Sequence, residues 1–220
     1  MSKSIRSIAV AVAMALGLCA PAVAQDKLFK DFAYDSPQKA YTEAKGFYDC
    51  TDDVGATAMC KDDVDFIGQK FTLALVFSNA KLITVSLVSS FDQHLYASAV
   101  AALGQSFVLA AMSDGKTQLD LFELKGRSSS KEDFVAKVAS YEHSGTDSGD
   151  FTYTFFEGID SSKAHSNMGE MLTTSATNLR CAELMLTGQD ANTGVVVRFS
   201  FPNLEVAKVQ AAAQKPVEAF

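Results

Sequence analysis

Leu73, Leu75 and Phe77 alternate with Thr72, Ala74 and Val76. Every second side chain of an extended chain points the same way, so this period predicts a half-buried strand over 71–78. The same reading places strands over 46–51, 59–67 and 81–88, with "SNAK" as the turn into the last of these. Later in the chain it places strands over 170–174, 179–187, 194–200 and 204–209. Phe151, Tyr153 and Phe155 in "DFTYTFFEG" form a further strand. "SFVLAAMSDGKTQLDLFEL" reads as a hairpin whose Asp114-Gly115 suits a tight turn with positive φ.

Helical periods are fewer. Leu95, Ala99 and Leu103 share one face of a helix that starts at Ser90 or Asp92 and ends at Gly104. Phe134, Val138 and Tyr141 stripe a second helix, with Ser130 and Asp133 at capping-box spacing and Gly145 at its end. Asp35 or Ser36 can cap a short helix with Pro37 in its first position and Gly46 as its stop. Another short helix is predicted over 161–168. "EHSGTDSGD" reads as a mobile loop.

These elements recur. "CKDDVDFIGQKFTLALVFSNAKL" from Cys60 and "CAELMLTGQDANTGVVVRFSFPNL" from Cys181 share a cysteine, a Gly-Gln, an alternating run, Phe-Ser and a later Leu. The second copy carries two extra residues in "DANTG", read as a longer hairpin turn. Upstream, "FAYDSPQKAY" parallels "FEGIDSSKAH", and Gly46 falls where Gly169 does. The order of matches points to an internal duplication. The expected fold is therefore α+β: two tandem units, each a helix plus a four-stranded antiparallel meander, with helices packed on one face of the sheet. The units span 25–89 and 156–210, with 90–155 connecting them and 211–220 as a tail.

Residues 1–24 stand apart. Lys3 and Arg6 precede an apolar stretch from Ile8 to Leu18, and Ala22 and Ala24 follow. This is the layout of a cleavable secretory signal, with cleavage expected before Gln25 and a periplasmic or secreted product. Leu18 before Cys19 does not fit a lipoprotein signal. The apolar stretch is too short to span a bilayer, so no integral membrane segment is expected. Cleavage removes two positive charges and no negative ones, taking the net charge from −7 to −9. An acidic surface repels phosphate backbones, which excludes nucleic acid as the expected partner.

Candidate chemistry is sparse. The chain has no GxSxG, HExxH, CxxC, P-loop or GxGxxG motif. His94, His143 and His165 are scattered and read as surface residues. "TDDVGATAMCKDDVD" holds five Asp in fifteen residues but lacks the ligand order of a calcium loop. No metal or cofactor is expected. After the signal, Cys50, Cys60 and Cys181 remain. Cys50 and Cys60 lie on adjacent predicted strands and can form a bridge; a 60–181 bridge or none are the alternatives.

The repeat register also sorts faces. Val64 and Phe66 match Leu184 and Leu186 as core positions. Asp63 and Asp65 then share the opposite face with Glu183, and Val76 and Arg198 share the corresponding face of the next strand. That open face is a solvated surface or a docking surface, and these five residues are its candidate binding set.

"DSPQKAY", "GFYDC" and "GQKFTLALVFSNAKL", with their second-copy counterparts "DSSKAH", "GEMLT" and "GQDANTGVVVRFSFPNL", resemble the repeat units of the β-lactamase inhibitory protein family and its single-copy relatives among outer-membrane assembly lipoproteins. The match rests on the order of elements and covers a little over half of the chain after the signal. The resemblance implies binding or inhibition, by analogy of fold. The expected function is a non-enzymatic binding protein with a protein partner in the cell envelope. The alternatives are a small apolar ligand carrier, with a Phe-rich pocket between sheet and helices, and a hydrolase with a dispersed site.

Overall fold

The computed structural model describes residues 26–146, 150–160, 163–188 and 193–213. The segment expected to be a signal, most of the "DANTG" turn and the tail beyond Ala213 lie outside the described residues. So do 161–162 and 147–149 of the expected loop.

The alternating runs become long strands. β1 (Lys27–Phe29) and β2 (Phe32–Ala33) form a small hairpin. β3 (Tyr48–Asp49), β4 (Ala58–Phe66), β5 (Gln69–Ser78) and β6 (Lys81–Ser90) follow, then β7 (Val108–Ser113), β8 (Gln118–Asp120), β9 (Phe151–Glu157), β10 (Arg180–Thr187) and β11 (Gly194–Ser200). These nine make one sheet in the order β3-β4-β5-β6-β11-β10-β9-β7-β8, antiparallel throughout. The fold is α+β, with α1 (Thr51–Val54), α2 (Gln93–Ser106), α3 (Leu121–Arg127), α4 (Lys131–Thr146), α5 (Met168–Thr174) and α6 (Pro202–Ala213).

The segments expected as two units share one sheet through a direct seam, where β6 pairs with β11 with Leu87 opposite Val197. The order is mirrored about this seam. β4, β5 and β6 lead into α2; β9, β10 and β11 lead into α6. The two quoted segments do share a hairpin, and Gly68 and Gly188 both take positive φ, of 77° and 91°. They diverge after it. Leu82 continues in a strand, whereas Leu204 lies in α6, where a strand over 204–209 was expected. Pro202 explains the difference, since its fixed φ and missing N–H suit the first position of a helix.

Other corrections have local causes. The predicted strand over 170–174 is α5, because Asn167 and Glu170 form a reciprocal cap. The Asn167 side chain accepts from Glu170 N at 2.8 Å, and the Glu170 carboxylate accepts from Ser166 N at 2.8 Å. The described part of the predicted 161–168 helix is irregular as far as Asn167. The helix expected after Pro37 is two 3-10 turns, Gln38–Ala40 and Glu43–Lys45, although Gly46 does stop the second in the left-handed region. "LFEL" is part of α3, capped by Asp120.

One face of the sheet carries the main core. Phe71, Leu73, Leu75, Phe77, Val85, Leu87, Leu184, Val197 and Phe199 are buried there against Leu95, Ala99 and Leu103 of α2. Val138 and Tyr141 of α4 pack on the same cluster. Asp92 caps α2 by accepting from Leu95 N at 2.8 Å. The helices are not confined to this face. α5, with Met171, packs on Phe156 and Cys181 from the other side, joined by Phe122 of α3. Phe155 and Phe156 are neighbours in sequence, so one strand feeds both cores.

Both sheet edges are short. β3 has two residues and β8 has three. The outer half of β4 extends beyond β3 and carries Asp62, Asp63 and Asp65, with a register shift between Lys61 and Val64 and Asp63 at φ 58°. A bulge and charges on an unpaired edge block further strand addition.

Candidate functional site

The face opposite the main core follows from strand register. Its middle row runs Thr154, Glu183, Arg198, Ser86, Ala74, Cys60 across six strands. On one side lie Thr152, Met185, Val196, Val88 and Thr72, on the other Phe156, Cys181, Ser200, Thr84, Val76 and Ala58. The two ends of this face are covered. Phe156 and Cys181 lie under α5, and Ala58, Cys60 and Ala74 pack with Cys50. Between them no described element packs on the sheet, and Val88 is 40% exposed.

At the centre Arg198 Nε donates to Glu183 Oε2 at 2.7 Å, with Nη2 2.6 Å from the same oxygen. Both side chains are partly buried. The pair fixes two long side chains flat on the sheet next to the apolar row of Met185, Val196 and Val88. Cys181 is the neighbouring buried thiol, and it is unbridged. Burial, with the Glu183 charge adding to it, pushes its pKa from 9.0 up to about 12. It therefore stays protonated at neutral pH and is a poor nucleophile.

The bridge forms between Cys50 and Cys60, with Cα atoms 5.8 Å apart. Cys50 lies just past β3, at the start of α1, and Cys60 on β4.

Of the sequence-predicted set, Glu183 and Arg198 come together as an ion pair. Val76 faces the same side two positions along its strand, opposite Thr84. Asp65 points to this side as well, pairing with Lys70 at 2.8 Å, and the Lys70 hydrogen bond holds its carboxyl below the usual range. Asp63 sits in the bulge, outside the rows. Asp62 is closer to the centre than either, accepting from Thr72 Oγ1 at 2.8 Å. Val88, Val196 and Met185 were not singled out by the sequence. Their juxtaposition needs the β6–β11 pairing, which joins segments more than a hundred residues apart.

Two further polar clusters hold elements together. Tyr153 Oη donates to Glu142 Oε1 at 2.5 Å and contacts the Tyr96 hydroxyl, linking β9, α4 and α2. Burial, then the bonds to Glu142 and Tyr96, push its pKa strongly upward. Tyr34 donates to Glu205, and Lys208 reaches Asp35 at 3.0 Å, which ties α6 to the N-terminal hairpin region. Among the described residues no three His, Cys, Asp or Glu side chains group as metal ligands. No described helix is long and apolar enough to cross a membrane. Core side chains from the sheet, α2 and α4 pack together in the space between them. No protein-family model, curated protein or solved structure matches the chain.

Proposed function

We propose that the chain is an exported, non-enzymatic binding protein that holds a partner protein on the uncovered face of its sheet. The observation that carries this reading is the side-by-side placement of Met185, Val196 and Val88 on three adjacent strands with no described element over them. An apolar centre framed by Thr72, Thr152 and Ser86 and by the Glu183–Arg198 pair has the composition of a protein interface, with an apolar core and a polar rim. With Asp65 paired to Lys70, Asp62 and Asp63 supply the negative charge of the flank beyond Thr72, which a basic group on the partner's rim would complement. The short edges and the bulged outer half of β4 disfavour recognition by strand addition, which leaves the face. Export draws support from the signal-like N-terminus and from the Cys50–Cys60 bridge, which persists in an oxidising compartment. An inhibitor or an envelope-assembly accessory fits this mode of action, as the resemblance to the β-lactamase inhibitory protein family implies.

The test is affinity capture from an envelope extract with the protein and with a Val88→Lys, Val196→Lys double variant, read by quantitative mass spectrometry. A partner held by the first and lost by the second is expected. An identical set of captured proteins would exclude the face.

A further inference from the structure

On the far side of the sheet from α2, α3 lines a cleft of about 860 Å³ together with Ile159, Asp160 and residues 163–167. Its apolar wall is Val108, Phe122 and Ile159. Val108 is 44% exposed, and Phe122 and Ile159 pack on the Met171 cluster, so the wall is continuous with a core that α5 holds in place. The His165 ring stands edge-on to Phe122 at 5.6 Å, and its Nε2 is buried with no hydrogen-bond partner among the described residues.

The rim has a charge the rest of the chain does not lead one to expect. Lys125, Arg127 and Lys163 line it against Glu123 and Asp160. Arg127 pairs with Glu123, and Lys163 lies 3.7 Å from Asp160. Among the described residues Lys125 has no carboxylate within 4.0 Å. The cleft is thus net positive in a chain of formal charge −7. Its size falls in the range of small-molecule sites, roughly 300–1,000 Å³, which combine apolar walls with a few polar groups.

We propose that this cleft binds a small organic carboxylate with an apolar body, the body against Val108, Phe122 and Ile159 and the carboxylate at Lys125. Burial of the hydrocarbon supplies affinity, and Lys125 selects the anion over a neutral molecule of the same shape. The site is separate from the uncovered sheet face, and the proposal does not depend on the partner reading.

Isothermal titration of the protein with decanoate and with decanol tests it. Saturable one-to-one binding of decanoate, at least tenfold tighter than decanol, is expected. Lys125→Gln should remove that preference, and Val108→Trp should weaken binding of both by crowding the apolar wall. Both positions are at or near the surface, and an unchanged melting curve checks that each variant is folded. No saturable decanoate binding would overturn the proposal. So would equal affinity for decanol, or binding that neither substitution alters. The wild-type comparison stands even if a variant fails to fold.

Discussion

Gly145 has no side chain because Phe151 occupies the place of one. A Cβ there would lie 2.2 Å from Phe151 Cε2, and the ring is held between Tyr141 and Tyr153. Gly145→Ala should therefore destabilise by about 1–3 kcal/mol through overpacking. Gly104→Ala, in α2 with open space around it, should be neutral or stabilising by roughly 0.5–1 kcal/mol. Urea titration of both variants checks the contrast. The sequence marked Gly145 as a helix stop, but α4 runs on to Thr146 and the glycine serves a contact between α4 and β9. Its neighbours in sequence could not reveal that contact. Cys181 gives a second residue-scale prediction. Its folded pKa of about 12 lies above the ordinary 9.0, so its contribution to stability is complete below pH 9 and is lost as pH rises toward 12. Cys181→Ala should flatten the fall in stability over that window in urea unfolding at stepped pH. Iodoacetamide at pH 8 should label Cys181 only once the protein is unfolded; rapid labelling of the native protein would contradict its burial.

At the scale of elements, local signals and non-local ones separate. Strands β4, β5, β6, β10 and β11 were legible because alternation is a local property. α5 and α6 were misread as strands because the repeat register carried the strands over 46–51 and 81–88 onto 170–174 and 204–209, whereas the cap at Asn167 and the Pro202 start make both segments helical. Asn167→Ala should weaken α5 by about 1 kcal/mol, since the cap satisfies an otherwise orphan N–H. Loss of helical signal at the α5 end should appear in hydrogen exchange of residues 168–174 before the sheet is affected. The Cys50–Cys60 bridge closes a loop with a sequence separation of 10. Reduction should cost about 2.7 kcal/mol in the chain-entropy model. Unfolding with and without reductant measures it, and no change would mean that the β3–β4 end is already ordered without the bridge.

For the whole molecule, the pairing of β6 with β11 turns two expected units into one sheet with a filled side and an uncovered middle. The sequence placed Glu183 and Arg198 on that middle by parity, yet it could not bring Val88 beside Val196, because the seam joins segments far apart along the chain. Phe77 and Phe199, both buried in the main cluster, should each cost about 3–5 kcal/mol when truncated to Ala, whereas Val88→Lys should leave stability nearly unchanged. That contrast allows the face to be altered without losing the fold. The most direct test is site-specific photo-crosslinking in cells, with a benzophenone side chain at position 88 on the uncovered face or at position 135, which is 53% exposed on α4 behind the sheet. The proposed function predicts a discrete crosslinked partner from position 88 and none from position 135. A partner captured from 135 alone, or the same partner from both, would contradict it.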